Sequence, residues 1–241
     1  MELAAGAVAV MVASFLGGVT GFGYSLVATP LLLLIGFPLA FVVTANLALA
    51  FVTRIPVAYR FRDALNFPRA TGLVVGCIPG LWLGVVVLRS VGESAIRLGA
   101  GLVVMAAAAL LWRAISAPPP RPVRGAPLAA GFAGGFLGSA ASLNGVAPVL
   151  LLARDKTAPQ SVLADLALYF VASTAIGLLF LAVQGAIDEE ALYPAFLLWL
   201  PGSLASNWVG TIVGPRLPEL AFRRATLAIV FVAGAVTAAV A

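Results

Sequence analysis

The chain reads as long apolar runs separated by short polar clusters. Apolar stretches cover residues 3–16, 23–36, 39–59, 70–88, 95–112, 127–137, 143–153, 160–183, 192–213 and 220–240. A helix needs about 20 residues, at about 1.5 Å each, to cross about 30 Å of hydrocarbon. Six of the stretches reach that length and four do not. The four short ones pair up around glycine-rich joints, Gly17-Gly18-Val19-Thr20-Gly21-Phe22-Gly23 and Gly134-Gly135-Phe136-Leu137-Gly138. Pro30 and Pro148 follow in the second arms, where a missing N–H and the ring clash loosen a helix. Each pair is expected to form a broken or re-entrant helix pair, a geometry tolerated at membrane depth only where protein or a watery cavity surrounds it.

Residues 114–126 form a stiff Pro/Arg-rich connector with Ala117-Pro118-Pro119-Pro120-Arg121-Pro122 at its middle. It separates a first membrane repeat, 1–113, from a second, 127–241. Gly17, Gly18, Gly21 and Ser25 recur as Gly134, Gly135, Gly138 and Ser142 at an offset of 117 residues. The block Ala45-Asn46-Leu47-Ala48-Leu49-Ala50-Phe51-Val52 recurs as Ala164-Asp165-Leu166-Ala167-Leu168-Tyr169-Phe170-Val171, with six identities in eight, and Pro79-Gly80 recurs as Pro201-Gly202. Three ordered blocks point to an internal duplication.

Charge then sets the direction of the two copies. The segment 54–69 holds four Arg, whereas its counterpart carries Asp188-Glu189-Glu190 and no base. If each joint pair contributes no net crossing, each half crosses three times and the second half is inverted. Twelve of the bases (Arg54, Arg60, Arg62, Arg69, Arg113, Arg121, Arg124, Arg154, Lys156, Arg216, Arg223, Arg224) then face the cytoplasm, against Arg89 and Arg97 outside. Letting each pair cross once splits the bases seven against seven. The expectation is an all-α polytopic integral membrane protein, an inverted repeat with three full spans per half, a cytoplasmic linker and both termini extracytoplasmic.

Composition agrees and narrows the chemistry. With 62% apolar and 10% charged residues the chain suits a bilayer. The net charge of +5 is an orientation signal and not a nucleic-acid footprint, because no basic stripe interleaved with aromatics is present. Glu2 stands where a signal peptide would carry a base, so the N-terminal run reads as mature membrane-embedded chain. The absence of histidine and the single Cys77 exclude internal disulfides, imidazole metal sites and Ser-His-Asp or Cys-His catalysis. There is no Walker-type phosphate loop and no run of carboxylates for a metal. No cofactor, no metal and no enzyme activity are expected.

What remains is a site built from the joints. Glycines there free backbone N–H groups, and half-helix ends favour anions. Gly17, Gly18, Thr20, Gly21, Gly23 and Ser25, with Gly134, Gly135, Gly138, Ser139, Ser142 and Asn144, form the candidate substrate cradle. The plainer reading is close helix packing through small residues. Asn46 and Asp165 occupy matching positions inside the second span of each half. An ionisable group in an apolar run is costly, so Asp165 is a candidate for proton coupling, unless it snorkels to water from its span end. Asn46 orients a substrate or bonds across helices. Arg54 attracts an anion or, as Arg at span ends often does, anchors at the interface. Ser173, Thr174 and Ser203 suit back-bonding to their helices. Trp82, Trp199 and Trp208 suit lipid or interface contacts.

The two glycine-rich segments, with Ile78-Pro79-Gly80-Leu81-Trp82-Leu83-Gly84 leading to Leu88-Arg89-Ser90 and Glu93-Ser94-Ala95-Ile96-Arg97, and the second version from Leu200-Pro201-Gly202 to Arg216-Leu217-Pro218-Glu219-Leu220 and Arg223-Arg224, make an ordered set over nearly the whole chain. In this the chain resembles the sulfite exporter TauE/SafE family of membrane transporters. The resemblance implies a multi-pass permease of the bacterial inner (plasma) membrane for small anions such as sulfite, sulfoacetate or related sulfonates, often acting in export, with the glycine segments lining the pathway. Its partners would be a small anionic substrate and membrane lipid, with a homo-oligomer allowed. Asn46 and Asp165 depart from the family pattern, which usually has a small hydroxyl residue there. The rival class is a structural or assembly subunit that moves nothing and uses its small residues for helix contacts alone.

Overall fold

The computed structural model describes residues 2–92 and 125–216, with 94–96, 98, 99, 102, 106, 109 and 123 between them. The span expected at 95–112, the linker 114–126 and the final span 220–240 lie largely or wholly outside the described residues, as do Arg97, Arg113, Arg121, Arg124, Arg223 and Arg224. Everything described is helix or short connection, with no strand.

Helix α1 runs Glu2–Thr20 and α2 runs Gly23–Ile35. Gly36 adopts φ +111 and closes α2, its N–H and that of Phe37 returning to the carbonyls of Leu33 and Leu32. Pro38 then starts α3, Leu39–Arg60. A 3₁₀ turn at Arg62–Ala64 leads to α4, Phe67–Ser90, capped by the Asn66 side chain, which accepts the Arg69 N–H. The second half has α5, Ala126–Ala141, then α6, Val146–Arg154, α7, Pro159–Val183, and α8, Glu189–Val213, capped by Asp188. Five of these, α1, α3, α4, α7 and α8, are long and apolar enough to cross a membrane. At about 1.5 Å per residue, the 16-residue α5 and the 9-residue α6 fall short of the roughly 30 Å needed.

Contacts at helix ends give the directions. Arg69, at the start of α4, is paired with Asp165 in the second turn of α7, and Arg89, at the end of α4, donates to the carbonyl of Gln184 just past α7. Helices α4 and α7 therefore run parallel, with the 61–66 connection at one end and the 184–188 connection at the other. The Asn66 N–H also donates to Asp165, so α3 ends where α7 begins and the two are antiparallel. Helix α1 runs parallel to α8, with Leu3 bonded to Trp199 and Val19 against Gly214. Helix α5 runs parallel to α4, with Pro127 beside Gly72 and Phe136 beside Gly84.

These last two pairings are glycine seams. A Cβ on Gly76, Gly80 or Gly84 would collide with the carbonyls of Leu128, Phe132 or Phe136, and one on Gly131 or Gly135 with the carbonyls of Leu73 or Cys77. Gly18, Gly210 and Gly214 do the same between α1 and α8, meeting the carbonyls of Asn207, Phe15 and Val19. Lipid gives no hydrophobic drive between helices, so dispersion at such short range holds the seams.

Three expectations change. The run at 3–16, counted among the short ones, belongs to the 19-residue α1, which is long and apolar enough to cross a membrane because the helix continues through Gly17 and Gly18 to Thr20. The break in the second half falls at Ser142–Gly145, after the glycines 134–138, which stay helical inside α5 because they are needed for its packing. Pro148 therefore sits in the first turn of α6, where it loses no helical bond, while Pro30 lies inside α2. Trp199 is not a lipid contact: it is 1% exposed, donates to the Leu3 carbonyl at 2.9 Å and packs edge-on against Phe37 and Phe41. Trp82 and Trp208 do face outward.

The seam yields a signed expectation. Gly→Ala in a helix interior normally gains up to about 1 kcal/mol, yet Gly76→Ala and Gly80→Ala should each cost about 1–3 kcal/mol through overpacking. Gly92→Ala, with nothing within 4 Å, should stay within about 0.5 kcal/mol. Thermal unfolding in detergent checks this, and an unchanged melting temperature for Gly80→Ala would refute backbone contact at the seam.

Candidate functional site

The two short helix pairs approach each other through their turns. The ends of the α1–α2 hairpin come together at Trp199, touched by Leu3 from one arm and Phe37 from the connection after the other. The ends of the α5–α6 hairpin come together at Arg69 and Gly72, since Pro127 packs on Gly72 and the Thr157 hydroxyl accepts from Arg69 at 3.3 Å. The tips meet. A Cβ placed on Gly145 would lie 3.2 Å from Phe22 Cβ and 3.1 Å from Phe170 Cζ.

The first tip is fixed by its own backbone. Thr20 Oγ1 donates to the Leu16 carbonyl at 2.8 Å and accepts the N–H of Gly23 at 3.0 Å, capping α2 across the turn. Gly21, at φ +85, takes the left-handed conformation that ends α1, its N–H on the Gly17 carbonyl at 2.8 Å. Gly23 opens α2, and Ser25 is buried in its first turn. The second tip turns at Ser142, at φ 62, where Asn or Gly is more usual.

Asn46 ties this tip to the first half. Its Nδ2 donates to Ser142 Oγ at 2.9 Å and to Thr29 Oγ1 at 3.1 Å, while its Oδ1 is buried without a partner. Gly134 leaves room for the Tyr169 hydroxyl, which donates to the Asn144 carbonyl at 3.3 Å, and Gly138 leaves room for the Asn144 side chain. Gly135 serves the seam with α4, and Ser139 Oγ points there too, donating to the Leu81 carbonyl at 2.7 Å.

Arg54 is 2% exposed and does not reach the membrane surface. One Nη donates to the Gly17 carbonyl at 3.1 Å, the same oxygen that accepts from Gly21, and the guanidinium lies 5.6 Å from the Phe170 ring centroid. Among the described residues the ion pairs are Arg69–Asp165 and the exposed Arg62–Asp63, so no carboxylate pairs with Arg54. Gly17 is hemmed by Arg54 on one side and Tyr24 on the other, each within 2.7 Å of where its Cβ would be. Tyr24 is buried and its hydroxyl has no partner. Asn207 closes the group: its Nδ2 donates to the Thr53 carbonyl at 3.2 Å and its backbone carbonyl lies against Gly18. By contrast, Arg60 and Arg62 stack on Trp208 and Tyr59 as interfacial anchors do.

Asp165 is fully buried and lies elsewhere. It accepts from Arg69 Nε at 2.6 Å and from the Asn66 N–H at 2.8 Å, with Arg69 Nη2 at 2.5 Å. It neither snorkels nor joins Asn46 and Arg54. Ser173, Thr174 and Ser203 bond back to their helices, as expected. The structure thus brings together Gly17, Arg54 and the first tip, and Asn46 with Ser142. Tyr24, Thr29 and Phe170 had not been singled out. Tyr24, a hydroxyl-bearing aromatic directly after the Gly-rich joint, was the available signal.

No group of three or more His, Cys, Asp or Glu among the described residues is placed to hold a metal. Among the described residues the interior offers hydroxyl and amide groups and, in Arg54, a cation without an acid. A family model described as sulfite exporter TauE/SafE matches residues 6–237. No curated protein and no solved structure matches the chain. The match covers nearly the whole sequence, and the chain belongs to the TauE/SafE family: it is a multi-pass membrane transporter of a family that exports sulfite.

The Arg69–Asp165 pair is open to a double-mutant cycle. Arg69→Gln leaves a carboxylate buried and unpaired and should cost about 3–5 kcal/mol. Asp165→Asn leaves a cation that can turn to water and should cost about 1–3 kcal/mol. The double variant should recover more than about 1 kcal/mol relative to their sum. Additive losses in detergent unfolding would show that the two side chains are not coupled.

Proposed function

We propose that this TauE/SafE family member is a permease of the bacterial inner membrane that exports a small organosulfur anion, such as sulfite, sulfoacetate or a related sulfonate, by alternating access around a site where the two hairpin tips meet. The observation that carries the reading is the meeting of Phe22 with Gly145 beside Asn46, which reaches from α3 to Ser142 in the other half. Small residues and hydroxyls line this junction, and substrate sites at the crossing of broken helices between repeats are a recurrent transporter design. In this reading Ser25, Ser142 and Asn144, with the backbone at Gly145, hold the anion, while Thr20, Gly21 and Gly23, whose donors are taken within the turn, shape the first tip. Gly17, Gly18, Gly134, Gly135, Gly138 and Ser139 let the arms approach.

The two halves are read as an inverted repeat with re-entrant hairpins. Three directions support this: α3 against α7, α4 against α8, and α1 against α5 each run opposite ways. Each hairpin also begins and ends at one level, α1–α2 at Trp199 and α5–α6 at Arg69. The 61–66 connection faces the cytoplasm and both termini lie outside, as the distribution of bases requires. A proton taken up by Asp165 would couple to movement by releasing Arg69 and the start of α4.

Two expectations follow. Ser142→Gly, which keeps the left-handed backbone and removes a hydroxyl to the anion, and Asn46→Ala, which frees Ser142 from its anchor, should each lower sulfite flux in reconstituted vesicles at least about tenfold, the scale of one lost hydrogen bond to a charged ligand. Wild-type rates in folded variants would refute the site. In a Cys77→Ala background, Asp63→Cys should label only from the cytoplasmic side and Glu190→Cys only from the outside. Labelling of both from one side would overturn the inversion.

A further inference from the structure

Arg54 is a cation in the interior with a hydrogen-bond acceptor, an aromatic face and, among the described residues, no acid. Isolated buried charge is costly in protein and more so in a bilayer. The groups that relieve the cost belong to three different elements: the Gly17 carbonyl on the first hairpin, the Phe170 ring on α7, and α3 itself, which carries the arginine. Gly17 and Arg54 lie in the first half and Phe170 in the second, so Phe170 is the group that slides past the guanidinium if one half rocks against the other. During that passage the guanidinium would part from the Phe170 ring and keep the Gly17 carbonyl. A bound monoanion would travel with Arg54 and leave the pair neutral.

Resting on the permease reading above, we infer that Arg54 and Tyr24 form the charge-bearing part of the site, that it takes one small singly charged oxyanion, and that the transporter works as an anion exchanger. The loaded carrier is neutral and crosses; the unloaded carrier exposes an uncompensated cation to the low-dielectric interior and is held back. An anion arriving from the opposite side restores the return step. Tyr24 suits the role because its buried hydroxyl has no partner among the described residues and its Cβ already rests against Gly17, beside the guanidinium. Four of the five N–H groups of Arg54 have no acceptor among the described residues, which leaves a fork for two oxygens of a sulfonate or bisulfite. The chemistry that recognises such a ligand is bidentate oxyanion binding with one added hydroxyl donor.

The test is trans-stimulation in vesicles of the whole protein, loaded with radiolabelled sulfite and diluted into potassium gluconate with or without unlabelled sulfite, valinomycin clamping the potential. Efflux should be about a hundredfold faster with external sulfite. Equal efflux in both media would overturn the exchange mechanism and leave the permease reading standing; no sulfite-specific efflux in either would overturn both. Binding is measured separately by the sulfite-induced rise in melting temperature. Tyr24→Phe, which keeps the ring and its packing, should weaken the half-saturating concentration about tenfold. Arg54→Gln should abolish the shift, and an undiminished shift in either variant would remove that residue from the site.

Discussion

Close approach of backbone to backbone is the constraint from which the interior follows. Helices α4 and α5, and α1 and α8, touch along rows of glycine where a single Cβ would strike a carbonyl. In lipid there is no water to be released by bringing helices together, so contact at that range is what fixes their register. Register in turn fixes depth. Pro127 at Gly72 and Leu3 at Trp199 set where each hairpin enters, and therefore where each turns. The contact between Phe22 and Gly145 is a consequence of two seams on opposite sides of the molecule.

On this near-symmetric frame the polar chemistry is unsymmetric. Asn46 and Asp165 stand at corresponding places in α3 and α7, yet one bridges to a hairpin tip and the other is consumed by Arg69. Eight residues further on, α3 carries Arg54 while α7 carries Ser173, which bonds only to its own helix. One copy thus contributes the cation and the other an ion pair that braces α7 to the start of α4.

Much of the scaffold was legible in the sequence. Length and apolar continuity located α3, α4, α7 and α8, and the recurring Gly lay close to both breaks between short helices. The first break fell within its joint because Gly21 needs a positive φ that its position at the end of α1 demands. The second did not, because glycines 134–138 signal close packing as readily as they signal a turn, and the turn was made by Ser142. Side-chain direction was beyond reach for a physical reason: both lipid and core are apolar, so periodicity does not separate Trp199, facing inward, from Trp82, 55% exposed. Asn46, Arg54 and Asp165 were found by polarity alone. Their partners lie in other elements, as Arg69 does for Asp165, and only the fold supplies them.

The bond from Trp199 to Leu3 joins the first helix to the last quarter of the sequence. During synthesis, α1 enters the bilayer long before α8 exists. Its small-residue face, with Ser14 and Gly18, must wait against lipid or insertion machinery until the second half arrives. The first hairpin is thus made well before the helix that seats it, so a product truncated before α8 would leave the glycine row of α1 without the carbonyls it packs against.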